Sequence, residues 1–169
     1  MRNIKNLTVL IIAMSLKLLI IVSITLGIEY LIFEAPIKKN LDISVPIFAN
    51  REREHLNYSR MLGNSEYEYL EKIYLTNNQK NRIFSEISKS WNNEKFNERL
   101  KKIINNNSLG LVKRLPDLKE NMYWMFTNLN ESIIDKRNID EMGKNGYYKI
   151  AIGILDFNNN ILYYYEYNN

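Results

Sequence analysis

Residues 148–167 read YKIAIGILDFNNNILYYYEY. Tyr148, Ile150, Ile152 and Ile154 fall at every second position, and Ile161, Tyr163, Tyr165 and Tyr167 do the same beyond Asp156-Phe157-Asn158-Asn159-Asn160. A period of two is the strand period, because successive side chains point to opposite faces. β-branched and aromatic residues suit a pleated, half-buried surface. Asp and Asn side chains satisfy backbone groups in turns. The stretch predicts an antiparallel hairpin, with Asp156 opening its turn.

Upstream of the hairpin the period changes. Leu115, Leu118, Met122, Met125, Leu129 and Ile133 recur every three or four residues, behind Pro116 and a capping-box pair, Asp117 and Glu120. That spacing predicts a helix over 117–134, and the polar 135–146 after it, with Gly143 and Gly146, reads as a loop. Thr76 and Gln79 form another capping box, opening a helix with Ile83, Phe84, Ile87 and Trp91 on one face. Phe96, Leu100, Ile103 and Ile104 repeat that pattern until Asn105–Asn107 and Gly110 end it. Trp91 and Trp124 read as core residues. From Glu66 to Leu75, Tyr67, Tyr69, Ile73 and Leu75 share a strand face, although Ser65 and Glu68 would also cap a helix; the strand is the reading adopted. Arg51 to Met61 reads as a short charged helix ending near Gly63. Leu41, Ile43, Val45 and Ile47 alternate as a short edge strand, while Pro36 and Pro46 discourage helix just before them.

At the other end, Leu7–Ile28 reads LTVLIIAMSLKLLIIVSITLGI, with one charge and no proline. About 20 such residues cross the ~30 Å hydrocarbon layer of a bilayer. The apolar character continues to Phe33, interrupted only by Glu29. Arg2 and Lys5 favour a cytoplasmic N-terminus, and Lys38 and Lys39 oppose that bias. Thr25 and Gly27 would allow signal cleavage after Gly27, leaving a secreted domain. The length of the apolar run favours an uncleaved anchor. Lys17 lies within the run and costs about 2.5–3.5 kcal/mol there. The Leu, Ile and Val residues, at about −0.3 to −0.6 kcal/mol each, outweigh it. Lys17 either snorkels to the interface or pairs with an acidic residue in a partner's membrane helix.

The expected architecture is therefore α+β. A cytoplasmic tail (1–6) and one transmembrane helix (7–33) lead through a linker and first element (34–64) into a small domain (65–169) with amphipathic helices and a C-terminal antiparallel hairpin. A chain of 169 residues holds one such domain. Its 46% hydrophobic and 25% charged residues exclude a disordered, collagen-like or multi-pass chain. Abundant Asn, Ile, Lys and Tyr, all with AT-rich codons, point to a low-GC bacterial source.

Composition also limits the chemistry. Without Arg2, Lys5, Lys17 and Glu29 the chain keeps 20 basic and 18 acidic residues, with no basic stripe to suit nucleic acid. The absence of Cys excludes disulfides, thiolate nucleophiles, iron–sulfur clusters and Cys-type zinc sites. His55 is the one histidine, stands among Arg51, Glu52, Arg53 and Glu54, and reads as a surface residue. No nucleophile elbow or phosphate-cradling glycine spacing occurs. Glu66, Glu68, Glu71, Asp135, Asp140 and Glu141 read as solvated charges. No catalytic residue, cofactor or metal ligand is expected. Tyrosine is the unusual feature, with Tyr147, Tyr148, Tyr163, Tyr164, Tyr165 and Tyr167 crowding the C-terminus. Tyr163, Tyr164 and Tyr165 are candidate partner-binding residues beside Lys17, because tyrosine offers a rigid apolar face with a hydroxyl; cross-strand pairing is the competing role. The expected function is a plasma-membrane-anchored, extracytoplasmic, non-enzymatic module that binds an envelope or secreted protein. The alternative is a small carboxylate-dependent cell-wall enzyme, secreted or anchored.

Overall fold

The apolar N-terminal run folds as one helix, α1 (Arg2–Glu29), in a computed structural model that describes residues 2–59, 65–94, 98–107, 110–130, 137–139 and 148–168. Ser23 and Thr25 return their hydroxyls to the carbonyls of Leu19 and Ile21, at 2.8 and 2.9 Å. Such back-bonds satisfy a polar side chain in apolar surroundings. A π-helical turn, Tyr30–Glu34, follows, in which the Ala35 N–H donates to the Tyr30 carbonyl. Pro36 explains the widened turn, since its ring crowds the carbonyl four residues back and it has no N–H to give. The helical stretch Ile11–Leu41 is long and apolar enough to cross a membrane, and none of its apolar window is buried.

The chain divides into two units, Met1–Pro36 and Ile37–Asn169. The second begins inside α2 (Ala35–Leu41), whose Ile37 and Leu41, one turn apart, are fully buried in the core of the sheet domain. Core packing thus starts in the segment read as a linker. Asp42 ends α2 in the left-handed region, φ 57°, with its N–H on the Lys38 carbonyl. The strand expected over 41–47 is not formed. Leu41 closes the helix, Ile43 and Val45 are buried as irregular chain, and Pro46 has no N–H for a ladder.

Five antiparallel strands follow: β1 (Asn50–Ser59), β2 (Ser65–Tyr74), β3 (Met122–Asn128), β4 (Lys149–Asp156) and β5 (Ile161–Asn168), in the order β1-β2-β5-β4-β3. β4 and β5 are the expected hairpin, with Ile150 opposite Tyr167, Ile152 opposite Tyr165 and Ile154 opposite Tyr163. Asp156 holds the turn, its Oδ1 accepting from the N–H groups of Asn158 and Asn159 at 3.1 and 3.0 Å. Thr76 and Gln79 form the expected reciprocal capping box on α3 (Asn77–Ile87). The next expected helix is α4 (Glu98–Asn107), followed by a 3₁₀ turn, Leu111–Arg114. The resulting class is α+β.

Both faces of the sheet are covered. On one, Ile73, Met125, Ala151, Leu155, Leu162 and Tyr164 pack with α2, with Ile83 and Ile87 of α3, and with Trp91. On the other, Leu70, Trp124, Phe126, Ile150, Ile152, Ile154, Tyr165 and Tyr167 pack with Leu100 of α4 and Leu111. Both tryptophans are buried, as expected.

Two expected helices are strands. The 117–134 region forms β3 after an irregular stretch that turns at Asn121, φ 62°. Met122, Trp124 and Phe126 face one core while Met125 faces the other, so nearly every side chain is apolar and no period-two contrast remains. The part beyond Asn130 lies outside the described residues, as does most of the 135–146 loop. The 51–61 region is β1, whose alternation is one of charge: Arg51, Arg53 and His55 on one face, Glu52, Glu54 and Leu56 on the other. Residues 60–64 lie outside the described residues.

Candidate functional site

The register of β1, β2 and β5 gathers polar residues at one end of the first face. Arg53, Glu71 and Tyr164 stand side by side across the three strands, followed by His55, Tyr69 and Glu166, then Asn57, Tyr67 and Asn168. Glu71 is fully buried. Its Oε1 accepts from Arg51 Nη1 at 2.8 Å and Arg53 Nε at 2.9 Å, and its Oε2 from the Tyr69 hydroxyl at 2.9 Å. A carboxylate leaves water at a cost of several kcal/mol unless paired and hydrogen-bonded, and these three donors supply that. Arg51 also donates from Nη2 to the Pro46 carbonyl, at 2.9 Å.

A second carboxylate, Glu166, accepts from the hydroxyls of Tyr67 and Tyr164, the latter at 2.7 Å, and Tyr164 in turn accepts from Asn40 Nδ2 at 2.7 Å. Burial, reinforced by a hydrogen-bonded carboxylate, pushes the hydroxyls of Tyr67, Tyr69 and Tyr164 well above the usual tyrosine range. They are therefore neutral donors at physiological pH. His55, exposed at the end of this row, meets the rings of Tyr67 and Tyr69 edge-on at 6.0 and 6.4 Å. The exposure of His55 matches its expected place at the surface.

On the opposite face Glu68 is also fully buried. It accepts from the Leu111 N–H at 2.7 Å, at the head of the 3₁₀ turn, and from the Tyr165 hydroxyl at 2.9 Å. Glu66 is buried as well. The reading of Glu66, Glu68 and Glu71 as solvated charges is thus corrected. Glu68 holds Tyr165, and Glu71 holds Tyr69, the buried side chain of Arg51 and the more exposed Arg53. Sequence did carry a signal for this: SEYEYLEKIY in β2 lies opposite RERE in β1, so acid and base match at a fixed register. Asp135, Asp140 and Glu141 lie outside the described residues.

The candidate residues named from sequence do not form one patch. Tyr164 is 1% exposed on the first face, Tyr165 is 0% exposed on the second, and Tyr163, partly buried, shares the second. The rings of Tyr164 and Tyr165 are spent on the two cores, and Tyr163 alone keeps some exposure. Lys17 is exposed on α1, in the other unit.

Chemically, the polar cluster is a set of donors and acceptors directed mostly at one another. The locked tyrosine hydroxyls are poor acids, and the Glu71 and Glu166 oxygens each accept a hydrogen bond already. Among the described residues no group of three or more His, Asp or Glu side chains comes together to hold a metal ion. No family model, curated protein or solved structure matches the chain.

Proposed function

We propose that the chain is a membrane-anchored, non-enzymatic interaction module of a bacterial envelope. Its N-terminus lies in the cytoplasm, and its sheet domain faces an envelope or secreted protein partner outside. The observation that carries this reading is the N-terminal helical stretch, apolar, long enough for a bilayer and unburied by protein. Arg2 and Lys5 ahead of it support the orientation. The internal pairing of the polar cluster gives Glu71 and Glu166 a structural rather than a carboxylate-catalytic role. Glycosidase chemistry needs one carboxyl able to donate a proton and a second open to substrate or water. Glu71 instead holds two guanidinium groups, and Glu166 two hydroxyls. The partner-contacting candidates carried forward are Tyr163, with its residual exposure, and Lys17 in the span.

The chain has no cysteine, so Asn159→Cys places a unique thiol at the tip of the β4–β5 turn. Intact cells treated with a membrane-impermeant maleimide should label the full-length protein. Label on a product shortened at the N-terminus would make the domain secreted. Label only after lysis would place it in the cytoplasm and overturn the proposal.

A further inference from the structure

Outside the N-terminal helix and its π turn, Phe48 is the one large apolar side chain exposed among the described residues, at 83%. It sits in a turn closed by the Ala49 N–H on the Pro46 carbonyl, at 3.2 Å. Arg51 donates to that same carbonyl at 2.9 Å. Just before the turn, the Ser44 carbonyl accepts from Arg82 Nη2 at 3.2 Å and the Ser44 N–H donates to Glu86 Oε2 at 3.1 Å. Ile43 and Val45 are buried beneath. The segment is pinned on both sides, and its apolar tip is left in the open.

The chain length says what lies near. The apolar run ends at Phe33, and Ile37 is already in the domain core. At about 1.5 Å per helical residue, about 6 Å of chain separates the two. A domain with so short a tether rests at the bilayer surface if the run spans the bilayer. Lys38 and Lys39, both exposed on α2, are the next cations along the chain and suit anionic headgroups.

We propose that the Pro46–Ala49 turn is a lipid-contact site, with Phe48 inserted among the headgroups of the leaflet through which the chain exits, and Lys38 and Lys39 against anionic lipid. This rests on the membrane-anchored reading. An aromatic ring at the headgroup level is a familiar interfacial anchor.

The test uses three single-cysteine versions of the full chain, Leu19→Cys, Phe48→Cys and Asn159→Cys. Each carries an environment-sensitive fluorophore and is reconstituted in vesicles of phosphatidylethanolamine and phosphatidylglycerol with spin-labelled lipid. Leu19 and Phe48 are exposed, and Asn159 lies in the β4–β5 turn, so none of the three changes opens a core. The expected result is quenching of the probes at 19 and 48 several-fold above that at 159. Quenching at 19 with none above the 159 level at 48 would overturn the lipid site and leave the anchor standing. A probe at 48 that is shielded from water but not quenched would mean a protein occupant, a second copy included, and would also overturn it. No quenching at 19 would remove the anchored reading, and the lipid site with it.

Discussion

Gly153 lies in β4, opposite Met125 of β3 and Tyr164 of β5. A Cβ built there would stand 2.5 Å from Leu41 Cδ1 and 2.5 Å from the far edge of the Trp91 ring. Ordinary carbon contacts need about 3.5–4.0 Å, so Gly153→Ala demands roughly 1 Å of movement from each neighbour. Leu41 Cδ1 ends a flexible side chain and can turn aside. Trp91 is a rigid ring, 6% exposed and wedged in the core, so the strain falls on it. Overpacking of this kind costs typically 1–3 kcal/mol, offset by about 0.4–1 kcal/mol from the stiffer unfolded chain. The expected net loss is about 1–2 kcal/mol. Using about 2.1 cal/mol/K per residue for a domain of Ile37–Asn169, a 2 kcal/mol loss would lower Tm by roughly 7 °C. Urea unfolding followed by tryptophan fluorescence would read it directly. Gly153→Ala combined with Trp91→Phe should cost less than the sum of the single changes, because the phenyl ring withdraws from the clash. Unchanged or increased stability in Gly153→Ala would refute the close seating of α2 and Trp91 on β4.

The polar cluster makes two further predictions. Glu71→Ala leaves the Arg51 guanidinium, 4% exposed, without its carboxylate and should destabilise the domain by about 3–5 kcal/mol, whereas a joint change to Arg51→Met, Arg53→Thr and Glu71→Leu should recover most of that in urea titrations; a loss under about 1 kcal/mol for Glu71→Ala would mean that water reaches the guanidinium. The raised Tyr67, Tyr69 and Tyr164 hydroxyls contribute stability that is complete below the unfolded value of 10.0 and lost as pH climbs beyond it toward their folded values. Stability should therefore fall above pH 10, with a late tyrosinate absorbance step coincident with unfolding. Tyr67→Phe should shallow that fall, and an ordinary tyrosine titration in the folded state would contradict the burial of these hydroxyls.

The parts of this fold legible in sequence are those set by local chemistry. The Thr76–Gln79 box needs only its own turn of helix, and the β4–β5 hairpin needs only its alternation and the Asp156 turn. What failed was set by distant partners. β3 reads as helix because both its faces are buried, which erases the period-two contrast. β1 reads as helix because its period is written in charge, and an Arg-Glu alternation means nothing until a strand carrying Tyr69 and Glu71 lies beside it. The buried glutamates were missed for the same reason. A carboxylate is expected in water unless its arginines and tyrosines are known to converge, and here they converge from β1, β2 and β5.

A buried ion network seldom adds stability over an apolar core, and in some proteins it fixes geometry instead. Arg51 gives that idea a concrete form here. One guanidinium nitrogen, Nη1, holds Glu71 inside the sheet, and a second, Nη2, holds the Pro46 carbonyl of the turn that carries Phe48. The charge that organises the polar cluster thus also fixes the apolar tip. If so, Glu71→Ala should do more than weaken the domain. Released from its carboxylate, Arg51 loses its reason to stay under the turn, and a fluorophore at position 48 should gain rotational freedom in time-resolved anisotropy while one at 159, in a turn held by Asp156, should not. Equal loosening at both positions would show only general destabilisation, and the role of Arg51 in holding that turn would fall.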